Sequence, residues 1–220
     1  MARTLPQDPT PAQAWVLDGL AHLRMAFPLE QRVHSAAPAA RAAYTELLRH
    51  WLRALPPLGA AIDDDLLAQL AHLDAVVPEE HAIGCYPFSS VDTGIRVTLP
   101  AGTVNAMCAI DALAIARLAH AHTQIDAWCA SCGAAIKCRV EKNGGLDHDQ
   151  VEVARVAWRQ ATATETSCSR GLCRQIRFLC RACPEPADSQ YFTLPQAAAI
   201  GNAFFRFQSA LLAEHAGTVS

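Results

Sequence analysis

Asn105-Ala106-Met107-Cys108-Ala109-Ile110-Asp111-Ala112-Leu113-Ala114-Ile115-Ala116-Arg117-Leu118 is the stretch on which the reading of this chain turns. It contains no Gly or Pro and is dominated by Ala, Leu, Met and Ile, so it predicts a helix with Asn105 as N-cap. Ile110, Leu113, Ala114 and Leu118 recur at helical spacing and are expected to face a core. Cys108 and Asp111 are the two reactive groups in this apolar run. Being three apart, they share a face. Unpaired N–H groups and the helix dipole near the start make a thiol easier to ionise. An ionised carboxylate beside it holds the proton on sulfur. The pair therefore suits a shared proton, released by sulfur when something captures the thiolate. Alone, the same residues also read as a small core residue and a helix-start signal.

The rest of the chain bounds what such a pair could serve. The sequence has 220 residues, 51% hydrophobic and 18% charged, a globular and core-forming composition. A net charge of −3 gives no basic footprint for nucleic acid. No apolar run reaches membrane-span length, and the start lacks a signal-peptide core, so a cytoplasmic location is expected. Nine cysteines cannot all pair within one chain, and eight of them lie between Cys108 and Cys183. In a reducing compartment, closely spaced cysteines read as metal ligands or catalysts.

Outward from the central stretch, the chain reads as an α+β protein. Gln13 to Arg24, Pro38 to Leu55 and a segment opened by Asp63-Asp64-Asp65 predict three helices, a winged-helix-like module over residues 1–84. The third carries no Lys or Arg between Asp63 and Val77, so it offers nothing to a phosphate backbone. Residues 85–220 predict a small mixed or antiparallel sheet with flanking helices. Strands are expected at Gly94–Leu99, Gln124–Trp128, Ala134–Val140, Val151–Trp158 and Arg174–Leu179, with a closing helix from Pro195 to His215.

Cys173 follows Thr166-Ser167-Cys168-Ser169-Arg170-Gly171-Leu172, which predicts a loop before a strand. Arg170 and Arg174 are expected to favour a thiolate there. Two thiolates from different elements, with a carboxylate, make a soft-metal trap with a proton source. Cys129-Ala130-Ser131-Cys132-Gly133 and Cys180-Arg181-Ala182-Cys183-Pro184 are two C-x-x-C pairs. Cys129, Cys132, Cys180 and Cys183 read either as a structural tetrahedral zinc site or as buried thiols. Cys85, Cys138 and Cys168 read as buried or spare thiols, Cys168 also as an assistant to Cys173. His50, His72 and His120 read as helix-surface histidines.

The strand Gly94-Ile95-Arg96-Val97-Thr98-Leu99, followed by Asn105-Ala106-Met107-Cys108-Ala109-Ile110-Asp111-Ala112-Leu113, resembles the organomercurial (alkylmercury) lyases, with their W-C-A-x-D-like helix start. Met107 stands where that family usually has Trp. Leu172-Cys173-Arg174-Gln175-Ile176-Arg177-Phe178-Leu179 resembles the family's second cysteine region, and a final helix with Phe204 and Phe205 fits too. The resemblance spans roughly residues 90–215, and the N-terminal helices match in kind. It implies protonolysis of a carbon–mercury bond to a hydrocarbon and Hg(II). Cys108 and Cys173 would be the mercury-binding thiolates and Asp111 the proton carrier. No organic cofactor is implied. External low-molecular-weight thiols are expected as co-reactants, and a mercuric reductase as a partner for the product. Two departures stand out: Arg174 replaces the Cys that often neighbours the second cysteine, and Cys132, Cys180 and Cys183 lie outside the family pattern. The alternatives are a zinc-ribbon, helix-turn-helix regulator that responds to metal, and a protein that sequesters metal without catalysis.

Overall fold

The computed structural model describes residues 10–58, 62–79, 82–146, 153–159, 167–185 and 187–214. Helices come first: α1 (Pro11–Ala26), α2 (Leu29–Ser35), α3 (Pro38–Leu52) and α4 (Asp64–His72). Each N-terminus follows local chemistry. Thr10 and Gln13 form a capping box at α1, Pro38 sits in the first turn of α3, and Asp63 accepts from the N–H groups of Asp65 and Leu66 at α4. The sequence predicts three helices here. The additional one, α2, is only seven residues long, too short for periodicity to reveal between Pro28 and Pro38.

Seven strands then form one antiparallel sheet: β1 (Val76–Pro78), β2 (Ile83–Cys85), β3 (Phe88–Ser89), β4 (Ile95–Leu99), β5 (Gly102–Ala106), β6 (Thr123–Trp128) and β7 (Ala135–Val140), in the order β1-β2-β3-β5-β4-β6-β7. Residue 84, the expected end of the N-terminal module, falls inside β2, which is bonded to β1 and β3. β4 alternates buried and exposed residues, as its sequence predicts. It pairs with β5 in the register Leu99↔Gly102 through Thr98↔Thr103 to Arg96↔Asn105. A second antiparallel sheet has the order β10-β8-β9, from β8 (Ala154–Arg159), β9 (Ile176–Cys180) and β10 (Ser189–Thr193).

The central helix is α5 (Ala109–Leu118). Asn105 is therefore not its N-cap: it lies in β5, paired with Arg96 and Ser89. Sheet pairing on both sides overrides the helix propensity of Asn-Ala-Met, and Cys108 becomes the N-cap residue. Every residue of α5 except Arg117 is buried, so the helix threads the middle of the molecule with no solvent face. It packs against α7 (Leu194–Phe204) closely enough that a Cβ on Gly201 would lie 2.7 Å from the Ile110 carbonyl oxygen. The expected single closing helix is two: α7 ends at Phe204 and α8 (Arg206–Glu214) follows. The buried rings of Phe204 and Phe205 meet edge to face at 4.9 Å across that break.

The apolar core runs from Leu23 in α1 to Leu211 in α8. Gln208 on α8, fully buried, donates to the Tyr44 hydroxyl on α3 and to the Tyr86 carbonyl, both at 2.7 Å. Among the described residues, no helix is long and apolar enough to cross a membrane.

Candidate active site

Cys108 reaches its place because β5 ends at Ala106. The Thr93 hydroxyl holds the Ala106 carbonyl at 2.6 Å, and the Met107 N–H donates to the Pro87 carbonyl at 3.0 Å. Cys108 itself is extended (φ −152°, ψ −180°), and its carbonyl accepts the first helical hydrogen bond, from Ala112. Asp111 follows in the first turn.

Cys173 comes from the other side. It sits not in a loop but in α6 (Leu172–Gln175), a single helical turn running directly into β9. The turn closes through the Cys173 N–H donating to the Cys168 carbonyl at 2.9 Å. The approach is pinned by the N-terminal helices. Asp74, at the end of α4, accepts from the Cys168 N–H at 2.9 Å, from the Tyr86 hydroxyl at 3.3 Å and from Arg32 at 3.2 Å. The Tyr86 hydroxyl accepts in turn from the Ser169 N–H at 2.9 Å.

The outcome is a convergence. The sulfurs of Cys108 and Cys173 and a carboxylate oxygen of Asp111 all lie within 4.8 Å of one another. Their exposures are 2%, 3% and 5%, low enough to keep bulk water away from all three. Cys173 donates toward Asp111 at 3.9 Å, and its sulfur lies 3.4 Å from that of Cys168. A third thiol therefore lines the cluster.

Burial sets the protonation states. It lifts the Asp111 carboxyl to about 7, against hydrogen bonds from the Cys108 thiol and N–H and from the Cys173 thiol, which favour the anion. Burial is also the main cause that pushes the Cys108 thiol well up, helped by its hydrogen bond to Cys173 and the nearby Asp111 charge. For Cys173, the hydrogen bond from Cys108 pulls downward, but donation to Cys168 and burial raise the thiol on balance. The expected dipole-assisted ionisation of Cys108 is thus outweighed. Arg170 and Arg174, expected to favour a thiolate at Cys173, are both exposed, so solvent screens their charge. The cluster holds two thiols and a carboxyl poised near neutrality, a proton store rather than a preformed thiolate pair.

The four C-x-x-C cysteines form a second cluster, with all four sulfurs within 4.8 Å of one another. Cys85 and Cys138 are buried single thiols. His50 is half-buried, and His72 and His120 are exposed. Asp74 and Tyr86 escaped the sequence reading. Asp74 adopts φ +51° just past a helix, a position to which the sequence alone assigned no role.

The family model for alkylmercury lyase (MerB) matches residues 88–205, more than half of the chain. The chain belongs to the alkylmercury lyase family. Its members are lyases that act on carbon–mercury bonds. Among solved structures, the mercury-bound form of MerB2 is similar, with a TM-score of 0.55 and 20% identity, covering 89% of this chain and 99% of that one. At that identity the likeness shows a shared fold. None of the curated proteins matches the chain. The matched segment contains Cys108, Asp111, Cys168 and Cys173, and both C-x-x-C pairs.

Proposed function

We propose that the chain cleaves organomercurials by protonolysis, with Cys108 and Cys173 as mercury ligands and Asp111 as proton carrier. The observation that carries this reading is the buried convergence of two sulfurs and one carboxylate from α5 and α6. Hg(II) is soft and selects thiolates over every other side chain. The substrate R–Hg–SR′ first exchanges its small thiolate for Cys108, and the Cys108 proton leaves with R′SH. Cys173 then passes its proton to Asp111 as its sulfur binds the same mercury. Two sulfur donors push charge onto the metal, and the electron pair of the carbon–mercury bond goes to carbon. The carboxyl delivers its proton there, releasing R–H and leaving Hg(II) on two thiolates. An acid of pKa about 7 suits this task, since it both accepts and releases a proton near neutral pH. Cys168 lies with its sulfur 3.4 Å from that of Cys173, and its S–H steadies the thiolate formed when Cys173 gives its proton to Asp111.

The step needs no organic cofactor. Two external thiols must then exchange with Cys108 and Cys173 to carry Hg(II) away, and a mercuric reductase is a fitting consumer. The test is incubation of purified protein with methylmercury and excess thiol, following methane by gas chromatography. Catalytic methane release is expected, and its loss in Cys108→Ala, Cys173→Ala and Asp111→Asn. Methane release at an undiminished rate by Cys108→Ala would refute the assignment. Mercury bound in stoichiometric amount without methane would favour sequestration instead.

A further inference from the structure

The second cysteine cluster lies outside the reaction just described. Cys129 follows β6, and Cys132 sits in the turn to β7, at the edge of the large sheet. Cys180 ends β9 and Cys183 follows it, on the small sheet. The sulfur separations are 3.7 Å for Cys129 and Cys183, 3.6 Å for Cys132 and Cys180, and 3.5 Å for Cys180 and Cys183. A zinc tetrathiolate, with Zn–S of about 2.3 Å, has tetrahedron edges of about 3.8 Å. Disulfides would instead pair the sulfurs at about 2 Å, whereas Cys180 has two near sulfur neighbours at equal range.

The backbone is shaped for the same task. Gly133, directly after the first pair, adopts φ +72°, and its N–H donates to the Cys129 carbonyl at 2.9 Å. That closes a tight knuckle which a side chain at 133 would strain. In the second pair the Cys183 N–H donates to the Cys180 carbonyl. The Cys180 N–H points at the Cys129 sulfur at 3.3 Å, a hydrogen bond that supports a thiolate there. Cys132 is exposed, giving a metal ion a way in.

We propose that Cys129, Cys132, Cys180 and Cys183 bind one structural zinc ion as four thiolates. Binding displaces whatever thiol protons the four cysteines still hold and couples metal affinity to folding. The ion staples the β6–β7 turn to the end of β9, across a junction that the Ala130 N–H to Phe178 carbonyl bond at 2.9 Å also spans. Cys173 lies three residues before the start of β9 proper, at Ile176, so the staple also fixes the strand from which that cysteine is hung.

The full chain, purified under reducing conditions, is assayed for metal by mass spectrometry and then reconstituted with Co(II) alone. About one zinc per chain is expected. Co(II) is expected to give sulfur-to-cobalt charge transfer in the near ultraviolet and intense tetrahedral bands in the visible. C108S/C173S should keep both signals, while C180S/C183S should lose them. Wild-type protein that takes up neither metal overturns the proposal, as does a cobalt spectrum that disappears in C108S/C173S. If C180S/C183S does not fold, the wild-type and C108S/C173S spectra decide alone.

Discussion

Asp111→Asn should yield a protein that is inactive yet more stable at neutral pH, and the two effects have one origin. The Asp111 carboxyl rises from 3.8 to about 7 on folding, with burial as the leading cause. The sign follows from proton counts. Between pH 4 and 7 the folded chain holds a proton at this site that the unfolded chain has lost, so stability falls as pH rises. The loss is absent below about pH 4, grows through this window and is complete above about pH 7. Three pH units correspond to about 4 kcal/mol. Asparagine has nearly the same shape and no charge to desolvate. The stability difference between variant and wild type should therefore grow by up to about 4 kcal/mol from pH 4 to pH 8. Constant packing differences cancel in that comparison. Urea unfolding followed by circular dichroism at both pH values measures it. Meanwhile kcat should fall by about 10²–10⁴-fold, the usual worth of a positioned proton donor. Wild-type kcat/KM should drop about tenfold per unit below pH 7, as the carboxylate that accepts the Cys173 proton disappears. A stability gap equal at pH 4 and pH 8, or an acid limb that persists in the variant's residual activity, would refute the reasoning.

Other expectations follow from individual contacts. Asp74→Ala leaves the Cys168 N–H and the Tyr86 hydroxyl without this acceptor, while Arg32 keeps its bond to the Leu73 carbonyl, and should cost about 2–3 kcal/mol; unchanged urea midpoints would count against the pinning role. In the same variant KM for the organomercurial should rise more than kcat falls, because the approach to Cys173 loosens while the reacting groups remain. Gln208→Ala strips the Tyr44 hydroxyl and Tyr86 carbonyl of a buried donor, with an expected loss of about 2–4 kcal/mol, readable by calorimetry. Gly201→Val should destabilise by about 1–3 kcal/mol or more, since even a Cβ meets the Ile110 carbonyl oxygen at 2.7 Å; a wild-type melting temperature would show that α5 and α7 can move apart.

The sequence by itself determined a good deal. The alternation in β4, the capping residues of α4 and the apolar run of α5 follow from short-range rules, and those elements appear close to where they were expected. The spacing of Cys108 and Asp111 placed them in one helix start, and the C-x-x-C spacing marked two knuckles. The tertiary structure decided the rest. Asn105 went into a strand because sheet pairing on both sides outweighs a capping preference. Cys168, read from the sequence as an assistant to Cys173 five residues on, does lie against it, but Asp74 and Tyr86 became the site's supports through contacts spanning more than 80 residues of chain. No local pattern encodes such partners. Above all, the acidity of Asp111 and the raised thiol of Cys108 come first from desolvation, which depends on everything packed around a group and not on its neighbours in sequence.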